Sequence, residues 1–157
     1  MTKFGSEILA SEFPDDDGSA DSLVLSLLVQ FSQSQSEELR QQLVSAFKAI
    51  RVLVPVMANV DEVDEETGAD KSSHMSSVIF KSADGRTGLP VFTGVEALNQ
   101  WDPQARPVPR FLRDVARSAI DEKFDAVLID MASAHRFALQ GISLAEVAGI
   151  EFHTVNI

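Results

Sequence analysis

The stretch MSSVIFKSADGRTGLPVFT, residues 75–93, constrains the fold more than any other. Two alternating apolar runs flank Asp84-Gly85, the favoured chemistry of a tight turn, and so predict a β-hairpin. Pro90 lacks a backbone N–H and predicts an exposed or irregular position in the second arm. Further strands are expected in RVLVPVMANV (51–60), where Pro55 favours an edge or a bulge, and in DAVLIDM (125–131). The last of these is nearly continuous apolar sequence, the mark of a central strand covered on both faces. HRFALQ is expected to return beside it, and EFHTVNI is a final strand or a tail.

Helical periodicity surrounds these strands. ADSLVLSLLVQF is read as a helix capped by Asp21 or Ser22. SQSEELRQQLVSAFKAI places Leu39, Leu43, Ala46, Phe47 and Ile50 on one stripe, with Ser34 and Glu37 as a capping box. The short loop between the two predicts a helical hairpin. VEALNQW is a short helix with Thr93 as its cap, and Pro109 is expected in the first turn of VPRFLRDVARSAIDEK. SLAEVAG gives a last short helix. The fold class is therefore α/β (α+β): a single mixed sheet of about five strands with helices packed on it. Residues 1–19, with PDDDGS, are expected as a flexible acidic tail, and residues 20–157 as one domain.

Composition narrows the function. No cysteine is present, which excludes disulfides, thiolate metal sites and cysteine nucleophiles and makes a reducing cytoplasm the simplest location. The best apolar run, LVLSLLVQF, is about half a membrane span, and no leader pattern opens the chain. The formal charge of −11 opposes nucleic acid and anionic membrane surfaces. Residues 1–70 hold 14 acids and 4 bases, whereas residues 71–157 hold 10 and 9, so the arginines gather in the second part.

Asp61, Glu62, Asp64, Glu65, Glu66 and Asp70 lack the register of a calcium loop and are expected as a solvated loop; no metal or other cofactor is expected. His74, His135 and His153 lie far apart in sequence, and no G-x-S-x-G elbow is present to hold a serine nucleophile. The densest cluster is WDPQARPVPR, which holds the only tryptophan, three of six prolines and two arginines. Read as a helix, Arg110, Arg113 and Arg117 share one face, with Arg106 just upstream and Trp101 beside it. A proline-stiffened aromatic and guanidinium corner suits an acidic protein or peptide. The expected function is thus a non-catalytic interaction domain contacting its partner through Trp101, Arg106, Arg110, Arg113 and Arg117. The alternative is a small metabolite-binding or hydrolytic enzyme using Thr93, Asp130 and His135 at strand ends.

The blocks IRVLVPVMA, KSSHMSSVIFKSADGRTGLPVFTGVEALNQWDPQARPVPR and DAVLIDM, in this order, resemble the N-terminal domain of the SseB-type (serine-sensitivity-enhancing) proteins, particularly actinobacterial members. The resemblance runs from about Ile50 to Ala148. It implies a compact α/β domain and supplies no catalytic residues, since no enzymatic activity is established for the family. A link of the family name to type III secretion finds no support in these residues.

Overall fold

The computed structural model describes residues 13–60 and 73–151, the side chains of 59, 60 and 73–75 excepted. The acidic loop 61–70, the His74 side chain, His153 and the expected strand after Glu151 lie outside the described residues, as do residues 1–12.

Helix α1 (Ser22–Gln33) starts where the Asp21 carboxylate accepts the Val24 amide at 3.0 Å. Helix α2 (Glu37–Phe47) follows as the second arm of the expected hairpin. Its cap is Ser36, whose hydroxyl accepts the Leu39 amide, rather than Ser34. Both bury one stripe: Val24, Leu27 and Leu28 from α1, Leu43, Val44 and Phe47 from α2.

The strands form two small sheets instead of the single five-stranded one expected. In the first, β1 (Arg51–Val60) lies between β2 (Ser73–Ser77) and β5 (Arg106–Phe111), all antiparallel. In the second the order is β3 (Phe80–Lys81), β4 (Thr87–Val91), β6 (Ala126–Ile129), β7 (Phe137–Gln140). Here β4 and β6 are parallel, and β7 returns antiparallel beside β6, which is central as its apolar run predicts.

Proline explains the division. Residues 73–81 pair first with β1, as β2, and then with β4, as β3, changing sheets at Val78-Ile79. Opposite that corner stand Pro55 and Pro90, neither with an N–H to extend a ladder. Pro55 is in a central strand, not at an edge. It fits because β2 ends at Ser77, opposite Val56, and the next partner of β1 on that side is Phe92, which exchanges bonds of 2.7 and 2.9 Å with Leu53. Pro90 is likewise buried and paired with Leu128, while β3 reaches only Thr87 and Gly88 on its other side.

The hairpin itself turns on three residues. Gly85 donates to Ser82 and adopts φ 90°, the left-handed geometry that closes a type I turn with a bulge. The Ser82 hydroxyl, and then the Arg86 amide, hold the Asp84 carboxyl below its ordinary range.

Helix α3 (Val95–Trp101) follows β4, and α4 (Leu112–Asp121) follows β5. The expected helix start at Pro109 is therefore corrected: Arg106–Phe111 is extended, because Pro107 and Pro109 each disfavour helical geometry in the residue before them. Leu53 directs its N–H and C=O to Phe92, so its opposite number Pro109 is a non-hydrogen-bonded partner, as is Pro107 opposite Pro55. The two missing donors thus fall on the outer edge of β5. Helix α4 ends with Lys123 at φ 65°, its amide on Ile120 and the Phe124 amide on Ala119. Helix α5 (Gly141–Val147) closes the same way around Gly149.

The main core joins α1, α2, α4, α5 and the inner face of the second sheet, with Phe137 set edge-on between Phe31 and Phe47 at centroid distances of 5.4 and 5.5 Å. A smaller cluster of Leu53, Phe92, Leu98 and Ala105 lies under α3.

Candidate functional site

The parallel strands β4 and β6 are both followed by polar residues, and at carboxyl ends of parallel strands the following loops diverge and leave a crevice. Thr93 stands two residues past β4, and Asp130 directly after β6. Asp130 is wholly buried. Its Oδ1 accepts the Thr93 amide at 2.8 Å, and its Oδ2 accepts the Thr93 hydroxyl at 2.7 Å and lies 3.0 Å from His135 Nε2. A carboxylate only accepts, so Nε2 carries the ring proton and Nδ1 is the remaining polar atom of His135. Asp130 adopts φ 52°, which Asp tolerates better than most residues, and its carbonyl accepts the Ser133 amide and hydroxyl. This turn brings His135 back over the strand ends. Thr93 is not the cap of α3; its hydroxyl is spent on Asp130, and the cap position is Gly94.

Residues 17–19, within the expected tail, wall one side of this crevice. Arg51, at the start of β1, donates to the Thr93 carbonyl at 2.8 Å, to Asp16 Oδ1 at 2.7 Å and to the Ser19 carbonyl at 2.8 Å. The Gly18 carbonyl accepts the Val95 amide at 2.7 Å, replacing the side-chain cap that α3 lacks. Gly94 makes this approach possible. A Cβ there would stand 2.6 Å from the Ala20 nitrogen and 3.0 Å from the Gly18 oxygen, both backbone atoms. Gly94→Ala is expected to cost about 1–3 kcal/mol and to expose the Val95 amide, read by denaturation and hydrogen exchange. At Gly88 the Cβ would stand 2.6 and 2.8 Å from Cδ1 and Cγ of the Leu128 side chain and no nearer than 3.5 Å to backbone, so Gly88→Ala is expected to cost less, since a side chain can shift where backbone cannot.

The crevice has a volume of about 430 Å3, lined by Asp17, Ser19, Leu25, Thr93, Glu96 and His135 among others. Its two charged walls are both acidic. The Ser19 hydroxyl and amide hold the Asp17 carboxyl below its ordinary range.

The arginine and tryptophan set lies elsewhere and is divided. Trp101 is half-buried, stacked on Phe92 at 5.6 Å and tilted against Phe80 at 5.8 Å. Arg106 and Arg110 are on β5, whereas Arg113 and Arg117 are on α4, so the single helical face expected for Arg110, Arg113 and Arg117 does not form. Arg117 donates through Nε to the Ala148 carbonyl at 2.7 Å and so closes the end of α5. Arg106, Arg110 and Arg113 are exposed, with no carboxylate in ion-pair reach among the described residues.

The family model described as SseB protein N-terminal domain matches residues 24–146. The chain belongs to this family. No curated protein and no solved structure matches it. The SseB match covers every strand of the described residues and contains Arg51, Thr93, Asp130 and His135, while Asp16–Ser19 precede it. Of the residues that build the SseB-domain crevice, Arg51, Asp16 and Gly94 carry no sequence signal of their role. Each acts on a segment far away in the chain. Among the described residues no helix is long and apolar enough to cross a membrane.

Proposed function

We propose that this SseB domain binds a small hydrogen-bonding molecule, neutral or cationic, in the cavity at the carboxyl ends of β4 and β6. The observation that carries the reading is His135, which lines the cavity while its Nε2 is fixed on a wholly buried carboxylate. A ring held by one nitrogen offers the other in a set direction, at little ordering cost on binding. Asp17 and Glu96 favour a positively charged or uncharged ligand over an anion. Among the described residues no serine or threonine hydroxyl is bonded to His135, and that of Ser133 is spent on the Asp130 carbonyl, so the geometry suits binding better than hydroxyl-based acyl transfer.

The test compares wild type with His135→Ala after incubation in a small-molecule extract, followed by mass spectrometry of what stays bound. A compound retained by wild type and lost from a folded His135→Ala is expected. Identical retained sets would remove the proposal.

A second reading keeps the expected acidic protein partner. What supports it is the exposed, unpaired state of Arg106, Arg110 and Arg113 among the described residues. Charge reversal at these three positions is expected to weaken a native complex; unchanged co-purification would end that reading.

A further inference from the structure

The corner where residues 73–81 leave one sheet for the other is not filled. A cavity of about 330 Å3 opens there, with apolar walls from Val54, Ile79, Leu89, Val91, Val115 and Phe124. This lies within the size range of small-molecule sites, about 300–1,000 Å3. β2 stops opposite Val56 and β3 reaches only Gly88, so Pro55 and Pro90 have no strand partner on the sides that face Val78-Ile79, and the gap follows from the backbone and not from one truncated side chain. Its lining also carries one charge of each sign, Arg110 from β5 and Glu122 at the end of α4. Both side chains are exposed, and neither has an ionic partner among the described residues. Glu122 is also the C-terminal cap of a ten-residue helix, where the macrodipole adds to its attraction for a cation.

We infer that this cavity is a second binding site, distinct from the one at His135, for a free α-amino acid with an apolar side chain. The side chain fills the apolar corner, Arg110 takes the carboxylate and Glu122 the ammonium. A guanidinium alone would suit any apolar carboxylate, and a carboxylate alone any apolar amine. The pair selects a molecule bearing both charges.

The test is titration of the methyl-labelled full chain with L-leucine, isoamylamine and isocaproate, which carry both charges, the amine alone and the carboxylate alone. L-Leucine is expected to shift the methyl signals of Val54, Val91 and Val115 saturably and to leave the His135 ring unmoved, with each analogue at least about tenfold weaker. Arg110→Gln and Glu122→Gln are each expected to weaken L-leucine by about tenfold, without loss of fold because both positions are exposed. The wild-type methyl map decides the location independently of either variant. The inference is overturned if L-leucine moves none of these methyls, if isocaproate or isoamylamine binds as tightly, or if both variants bind like wild type. Movement of the His135 ring alone would place the ligand in the other cavity and would equally overturn it.

Discussion

Asp130→Ala is expected to lower folding stability by about 3–5 kcal/mol, the largest effect of any single polar substitution in the described structure. Three bonds converge on this one side chain: two from Thr93 and one from His135. Removing it leaves the Thr93 amide and hydroxyl, in a residue only 2% exposed, with no replacement from water. The backbone adds a further cost, since alanine tolerates φ 52° less well than aspartate does. Asp130→Asn retains the shape, an acceptor for the Thr93 amide and tolerance of the turn, and is expected to lose less than half as much. Urea unfolding of both variants checks this. An Asp130→Ala protein within about 1 kcal/mol of wild type would mean that the network is decorative.

Arg51→Met is expected to cost about 2–4 kcal/mol and to release the segment before α1. Arg51 is 14% exposed at its side chain and Asp16 is 7% exposed, so this pair lies largely out of water, unlike a surface ion pair. Asp16 Oδ2 has no hydrogen-bond partner, so Arg51 and the Gly18 amide are what offset the burial of its charge. Without the guanidinium the carboxylate must find solvent, and the segment moves to let it. Limited proteolysis near Asp16 reports the release. Asp16→Asn combined with Arg51→Met should lose less than the two single changes added together, because the double variant leaves no unpaired charge. Full additivity would contradict the coupling.

Elements whose signal is local were legible in the sequence. The stripe through Leu43 and Phe47, the Asp21 cap and the turn at Asp84-Gly85 each rest on residues a few positions apart. The central position of β6 followed from its unbroken apolar run. What misled was proline. Pro109 suits a helix start by its local sequence, yet Pro107-Val108-Pro109 holds Arg106 and Val108 extended, and the strand ends only at Phe111. The helical periodicity that would join Arg110 to Arg113 and Arg117 breaks at the same point, since Arg110 is on the strand and the other two are on α4. Thr93, Asp130 and His135 were legible as polar residues next to apolar runs. Their meeting was not, because it depends on β4 and β6 lying parallel, a pairing between segments about forty residues apart, and such contacts leave no periodic trace. Arg51 was hidden for the same reason, since its partners are Asp16, Ser19 and the backbone of Thr93.

The outer edge of β5 has a consequence for how this molecule meets copies of itself. With Pro107 and Pro109 in place of amides, it cannot accept an incoming strand, and cross-molecule β-stacking is closed from that flank. Among the described strands, growth by strand addition would have to start from β2, β3 or β7, so the fold polices one side of its first sheet by omission of two hydrogen atoms, without spending a charge on the task.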